Sequence, residues 1–368
     1  MNTFCSGREM LGVLCGVLVL GAVSAMPTVA TGGVKVFESA DQSLELGLRL
    51  QPRMELERVG ALGGGTDRDF IVRRARIKAN GKMKNAAFTF EWKIDGTDQI
   101  GASPSAAVEN GYVQCPLGRG VDVRAGLYDQ PFSRDRLTSD SKQLAVDRGE
   151  VSNVPDASGL ADNVVGVQLM GKVNGGRAQY TVGLFDNRFI PGKLQDIPMV
   201  CGRLDLNLGS MKDIFQDAHF GTESWYSIGL NASYQKIDAY AAADSFTNSA
   251  GGVDGMVDIP FGQCRVFVKG ELNAVRKDWS VGTAQDNVTA RMLAAGVLVL
   301  DQRLQPFVRF DQVRGAATLP RGGRRDITFV GANFYQKGHN LKFQGDVRLQ
   351  ANTKDSVDGA RLQAQVDF

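Results

Sequence analysis

Residues 86–95 read AAFTFEWKID, and their alternation decides the fold. Ala86, Phe88, Phe90, Trp92 and Ile94 share one parity, while Thr89, Glu91, Lys93 and Asp95 share the other. Successive side chains of a strand point to opposite faces, so this segment has one side in an apolar medium and one in water. The pattern recurs outward in both directions. Leu44, Leu46, Leu48 and Leu50 alternate with Glu45, Gly47, Arg49 and Gln51; Val121, Val123, Ala125 and Leu127 with Asp122, Arg124, Gly126 and Tyr128. Leu341, Phe343, Gly345, Val347 and Leu349 alternate with Lys342, Gln344, Asp346 and Arg348. The polar faces carry long charged side chains of both signs, as the wall of a wet lumen would.

Strand length separates a membrane barrel from a soluble sandwich. The alternating segments are mostly longer than the ~5–6 residues typical of soluble strands and near the ~9–11 that cross a bilayer at a tilt. The pattern predicts strands near 44–57, 69–81, 86–95, 106–115, 119–128, 163–172, 176–186, 200–208, 224–235, 251–259, 264–273, 288–300, 303–313, 326–336, 340–350 and 360–368. Long links such as 58–68, 96–105 and 129–162 interleave with short ones such as 82–85, 116–118 and 173–175, the arrangement of external loops and periplasmic turns. One link, 209–223, falls on the short side and is long. Reading 238–246 as a further strand would put the termini on opposite sides, so parity favours sixteen. The expected fold is therefore all-β: a transmembrane antiparallel β-barrel of 16 strands.

A formal net charge of +2 and a mean hydropathy of −0.16 over 368 residues look soluble. A barrel averages lipid-facing against water-facing residues, so the mean does not exclude it. Arg8, the apolar run Met10–Val23 and the small pair Ser24-Ala25 follow the order of a secretory leader, ending after Ala25 or Ala30. That leaves one barrel domain over 31–368. After residue 30 the longest apolar run, Leu293–Leu300, is far short of the ~20 residues of a spanning helix. Cys115, Cys201 and Cys264 are odd in number and well separated, indicating no disulfide framework. His219 and His339 belong to no metal motif, so neither metal nor cofactor is expected. Export leaves the basic run Arg73–Lys78 no occasion to meet nucleic acid. The chain stops on an alternating strand ending in Phe368, which resembles the assembly signal of outer-membrane barrels. The expected location is the outer membrane of a Gram-negative bacterium, with its lipid as one partner. A barrel hydrolase would need a histidine beside a Ser and an acid at the rim. Both histidines fall on the short-link side, which argues against an enzyme.

Three stretches resemble the phosphate-selective porin O and P family. They are Phe70-Ile-Val-Arg73-Arg74-Ala75-Arg76-Ile77 leading to the Phe88–Asp95 strand, Gly126 through Pro131-Phe132-Ser133 to Asp147-Arg148, and Val330-Gly331-Ala332-Asn333-Phe334-Tyr335. The resemblance implies a homotrimer of sixteen-stranded barrels passing small hydrophilic solutes, with 129–162 folded into each lumen as a constriction loop. It also implies a preference for anions such as phosphate or polyphosphate, handled by lumen arginines and lysines. Lys142 lies near a key loop lysine of the family, and Asp147-Arg148 match its acidic-Arg pair, with spacing differing by one residue.

The residues themselves give a more mixed lumen. On the 69–81 strand, Phe70, Val72, Arg74, Arg76 and Lys78 share a parity. Three cations facing lipid would cost about 2–4 kcal/mol each at the midplane, so Arg74, Arg76 and Lys78 should line the pore and Arg73 should sit at the outer rim or a subunit contact. Fixed cations along a wet wall favour anions. Parity adds Arg124, Lys269 and Arg309 to the lumen, but it also adds a comparable set of carboxylates. A general, weakly selective porin is the alternative, with loop acids Asp135, Asp140, Asp147 and Glu150 facing Arg74, Arg76 and Arg124. Aromatics including Trp92, Phe132, Phe185 and Trp225 suit interfacial girdles and would suit core packing nearly as well.

Overall fold

In the computed structural model the alternating segments pair edge to edge in chain order, each antiparallel to the last. Residues 33–59, 65–95, 105–186, 193–196, 198–239, 245–280, 285–319, 321–351 and 357–368 are described; the expected leader lies outside them. The staves are β1 (Gln42–Val59), β2 (Gly65–Met83), β3 (Ala86–Asp95), β4 (Ser105–Gly118), β5 (Val121–Asp129), β6 (Asn163–Val173), β7 (Ala178–Phe185) and β8 (Met199–Gly209). They continue as β9 (Trp225–Ala239), β10 (Phe246–Phe261), β11 (Cys264–Trp279), β12 (Gln285–Leu298), β13 (Leu304–Gly315), β14 (Arg325–Lys337), β15 (Leu341–Ala351) and β16 (Val357–Asp367). Val34–Glu38 adds a short strand to β1, and Lys193–Asp196 adds one to β9. The last stave closes on the first through Val366 opposite Leu50 and Asp367 opposite Arg49, and Phe368 exchanges backbone hydrogen bonds with Leu48. The chain is thus a closed antiparallel barrel of sixteen staves, as the alternation predicts.

The short links obey turn chemistry. In the four-residue link between β6 and β7, Asn174, Gly175 and Gly176 have φ of 50°, 67° and 99°, left-handed values that glycine adopts freely and Asn tolerates. Outside, Leu48, Leu50, Trp92, Val167, Leu169, Ile228, Leu230, Leu293 and Phe310 form part of an exposed apolar band, the face that lipid covers.

One bulge corrects the parity of β2. Gln51 pairs with Arg74, but Pro52 pairs with Val72, so Arg73 is the extra residue. An unpaired residue reverses the faces beyond it. Phe70, at 80 % exposed, and Val72 therefore face lipid, although they share the sequence parity of Arg74. Arg73 reaches Asp147 at 3.8 Å inside the barrel and is not at the outer rim.

The interior holds a folded loop. The 130–162 link enters the barrel and carries two short helices, α1 (Arg134–Leu137) and α2 (Glu150–Ala157). Phe132, Val151, Val154, Leu160 and Ala161 pack against Val275, Val288, Ala290, Met292 and Val313 on the inner faces of β11, β12 and β13. This accounts for the run Leu293–Leu300: lipid lies outside β12, while inside Leu144 packs with Ala294. It also removes Phe132, Phe185 and Trp225 from any interfacial girdle, because all three are buried in interior clusters.

Candidate pore site

The inward-folded 130–162 loop is held by ion pairs spread along its length. Asp140 receives Arg74 at 2.9 Å and Arg76 at 3.3 Å from β2, and Arg148 from the loop itself. Burial pushes the Asp140 carboxyl up, but Arg148, Arg74 and Arg76 outweigh it and hold it well below the usual carboxylate range. Asp147 receives Arg53 at 2.9 Å and also Arg361, again with a carboxyl held well below its ordinary value against the opposing effect of burial. Asp135 accepts from Lys269 at 2.9 Å, while its second oxygen takes the Gly149 N–H at 2.8 Å and the Ser152 hydroxyl at 2.9 Å. Burial alone would raise it; Lys269 and then Arg309 pull it down. Glu150 is bound by Arg321 and Arg325, each at 2.9 Å, which lower it despite burial.

Several sequence-predicted cations are therefore already committed. Arg74, Arg76, Arg148 and Lys269 face loop carboxylates, and Arg309 donates to the Asp147 carbonyl at 2.7 Å and pairs with Asp311 at 3.3 Å. Arg76 also meets Glu91 and Glu109, at 3.2 and 3.1 Å. Arg124 does not meet the loop acids. It donates to Gln114 at 2.9 Å and lies 4.3 Å over the Tyr112 ring.

The remaining two cations, Lys78 and Lys142, line a polar cavity of about 550 Å³ with Arg49, Lys172, Asp213 and Asp367. A second cavity of about 530 Å³ adjoins it at Leu137, Lys172, Gln179 and Phe215, and is lined also by Arg124, Asp122 and Arg203. Lys78, Lys142, Lys172 and Arg124 have no ion-pair partner among the described residues, whereas Arg49 is paired with Asp367 at 2.9 Å and Arg203 with Asp205 at 2.6 Å. Lys172 was not picked out by the sequence reading, yet its parity with Gln168 on β6 is the signal that turns it inward. Arg134 was also missed. It is buried and donates to Asp254 and to the Ser227 hydroxyl, both at 2.6 Å, and nothing local in RDRL marks it.

The long link on the short-turn side, 210–224, explains its own length by folding up into the barrel. The Asp217 carboxylate accepts from Lys269 Nζ at 2.9 Å and from the Leu144 N–H at 3.0 Å, and its own N–H donates to the Lys142 carbonyl at 2.9 Å. Beside it, His219 is fully buried between Asp258, at 2.9 Å from Nδ1, and the Asp213 carbonyl, at 3.1 Å from Nε2, and it stacks on Trp225. The inward-folded loop is thus gripped from the wall and from below.

Comparison with known proteins agrees with this architecture. Residues 49–196 match the family described as phosphate-selective porin O and P. An uncharacterized protein of Aquifex aeolicus (strain VF5) is 25% identical over 379 residues, covering 91% of this chain and 89% of its own length. Among solved structures, an anion-selective porin from Comamonas acidovorans superposes with a TM-score of 0.64 at 13% identity, covering 89% of this chain and 100% of that one. The outer membrane channel DcaP of Acinetobacter baumannii gives 0.60 at 11% identity, covering 92% of this chain and 100% of that one. Through residues 49–196 the chain is similar to the phosphate-selective porin O and P family, and the sixteen-stave barrel that contains them is a channel-forming barrel of the Gram-negative outer membrane.

Proposed function

We propose that the chain is a passive pore for small hydrophilic solutes with a shallow preference for anions, phosphate and polyphosphate among them. The preference is set by Lys78, Lys142, Lys172 and Arg124, not by an Arg74–Arg76 ladder. The observation that carries this is their position. They line the two adjoining cavities without a carboxylate partner among the described residues, while Arg74 and Arg76 are neutralised by Asp140, Glu91 and Glu109. Fixed cations on a water-filled wall attract anions. The preference is shallow because Glu45, Asp122 and Asp213 line the same cavities. That near-balance also supports the second reading, a general weakly selective porin.

Hydrolysis is disfavoured by the histidines. His219 has both ring nitrogens engaged, and His339 is 8% exposed with Nε2 at 2.9 Å from the Ala218 carbonyl. The homotrimer follows from the family resemblance, and light scattering of the detergent-solubilised protein tests it.

The pore reading is tested by planar-bilayer recording under a potassium chloride gradient, with phosphate titrated in. The expected result is an anion-directed reversal potential and a chloride current that falls as phosphate rises. Lys142→Glu and Lys172→Glu should both move the reversal potential toward cations. An unchanged potential in both variants would remove these lysines from the selectivity, and absence of any current would sink the pore itself.

A further inference from the structure

The outer wall of β11–β13 carries a cation where lipid should lie. On β12, Ala290 and Met292 point into the barrel, at 0% and 4% exposed, and Leu293 is 58% exposed on the outside. Arg291 lies between them and is exposed on the outer face. It stands opposite Leu272 of β11 and Gln312 of β13. Outward cations on the two flanking strands are neutralised: Arg276 by Asp278 at 2.8 Å and Arg314 by Asp326 at 2.6 Å. Arg291 has no partner among the described residues.

Its height is fixed by the strand. A tilted strand crosses the hydrocarbon in about 9–11 residues. Counted up from Leu300 at the short turn, Arg291 is the tenth residue, so it sits at the upper edge of the apolar band on the long-loop side. Below it are Leu293, Ala295 and Val297; above and beside it are Thr289, Asn287 and Gln312. Arg314 stands opposite Thr289 and is therefore the diagonal neighbour of Arg291, about 7–8 Å away across the ladder. Arg314 stays with Asp326, so Arg291 is left to offer a phosphate two parallel hydrogen bonds.

We propose that this patch docks the phosphate-bearing headgroup of an outer-leaflet glycolipid. Arg291 takes the phosphate, Thr289 and Gln312 flank it, and the acyl chains run down over Leu293 and Val297. Charge complementarity selects an anion, and continuity with the apolar band selects an anion that carries hydrocarbon. The site is on the lipid side of the wall and does not depend on what passes through the pore.

The test uses the full barrel in detergent micelles, with folding of each variant checked by heat-modifiable gel mobility and by unchanged single-channel conductance. Binding of a bisphosphorylated glycolipid is measured by native mass spectrometry for wild type, Arg291→Ala and Arg291→Lys. Loss of one charge-assisted contact should weaken binding about ten-fold in Arg291→Ala and less in Arg291→Lys. The dephosphorylated glycolipid should bind both variants and wild type alike. Equal binding of the bisphosphorylated form to wild type and Arg291→Ala would overturn the proposal. Displacement of that lipid by equimolar inorganic phosphate would overturn it in favour of a free-anion site. A change of oligomeric state in Arg291→Ala without lipid would overturn it in favour of a subunit contact.

Discussion

Replacing Asp140 by Asn removes the carboxylate that Arg74, Arg76 and Arg148 share. The Asp140 side chain is 2% exposed, so water cannot take its place without the loop moving. Breaking a buried pair by removing one partner costs about 3–5 kcal/mol, because the opposite charge is left uncompensated. The loop keeps its other anchors at Asp135, Asp147 and Glu150, so the barrel should fold and the cost should fall on local loop opening. At the lower figure, an opening equilibrium changes by about a hundred-fold. Arg74 and Arg148 would then turn toward the solvated cavity beside Lys142, while Arg76 stays with Glu91 and Glu109. In bilayer recordings Asp140→Asn should show larger current fluctuation and a reversal potential displaced toward anions. An unaltered potential, with quiet current, would refute the idea that Asp140 masks the β2 arginines.

Two further outcomes follow from the same contacts. The carboxyls of Asp135, Asp140, Asp147 and Glu150 are all depressed in the folded protein, so their pairing stabilises the loop fully above the ordinary carboxylate range. It is lost only as pH falls through their lowered values. Hydrogen exchange of the 134–157 backbone should therefore stay slow from neutral pH down to about 4 and accelerate below it; acceleration already near neutrality would contradict this. Asp217→Asn weakens the grip from below by removing charge from the partner of Lys269 and Leu144. It should raise exchange in 210–224 and around Leu144 together, whereas a rise confined to 210–224 would show that the two segments are not coupled.

The stave pattern was legible because each alternation is local. The segment 86–95 begins and ends in the structure where its parity begins and ends. Arg73 was misplaced because a single extra residue leaves the neighbouring alternation looking intact and shows itself only in the pairing with Gln51 and Pro52. The lumen cations were legible in position but not in state. Asp140 is 64 residues from Arg76 in the chain and beside it in space, and no periodicity carries such a contact. The inner faces at Val275, Ala290 and Met292 carried a signal of the opposite kind, apolar where a wet wall was expected. Its cause, helix α2 lying against them, is written elsewhere in the sequence.

That apolar stretch of inner wall bears on how the protein is assembled. A tube closed with its loop still outside would present Val275, Val288, Ala290, Met292 and Val313 to water, and would leave Val151, Val154 and Leu160 of the loop equally uncovered. At about 25 cal/mol per Å² of apolar surface, each of the Val, Leu and Met side chains left wet forfeits on the order of 1.5–3 kcal/mol. An empty cylinder is therefore a poor intermediate for this sequence. Wrapping the staves around a loop already in place would cover both surfaces in one step, so the loop that folds into the finished barrel also supplies the apolar surface against which its wall packs.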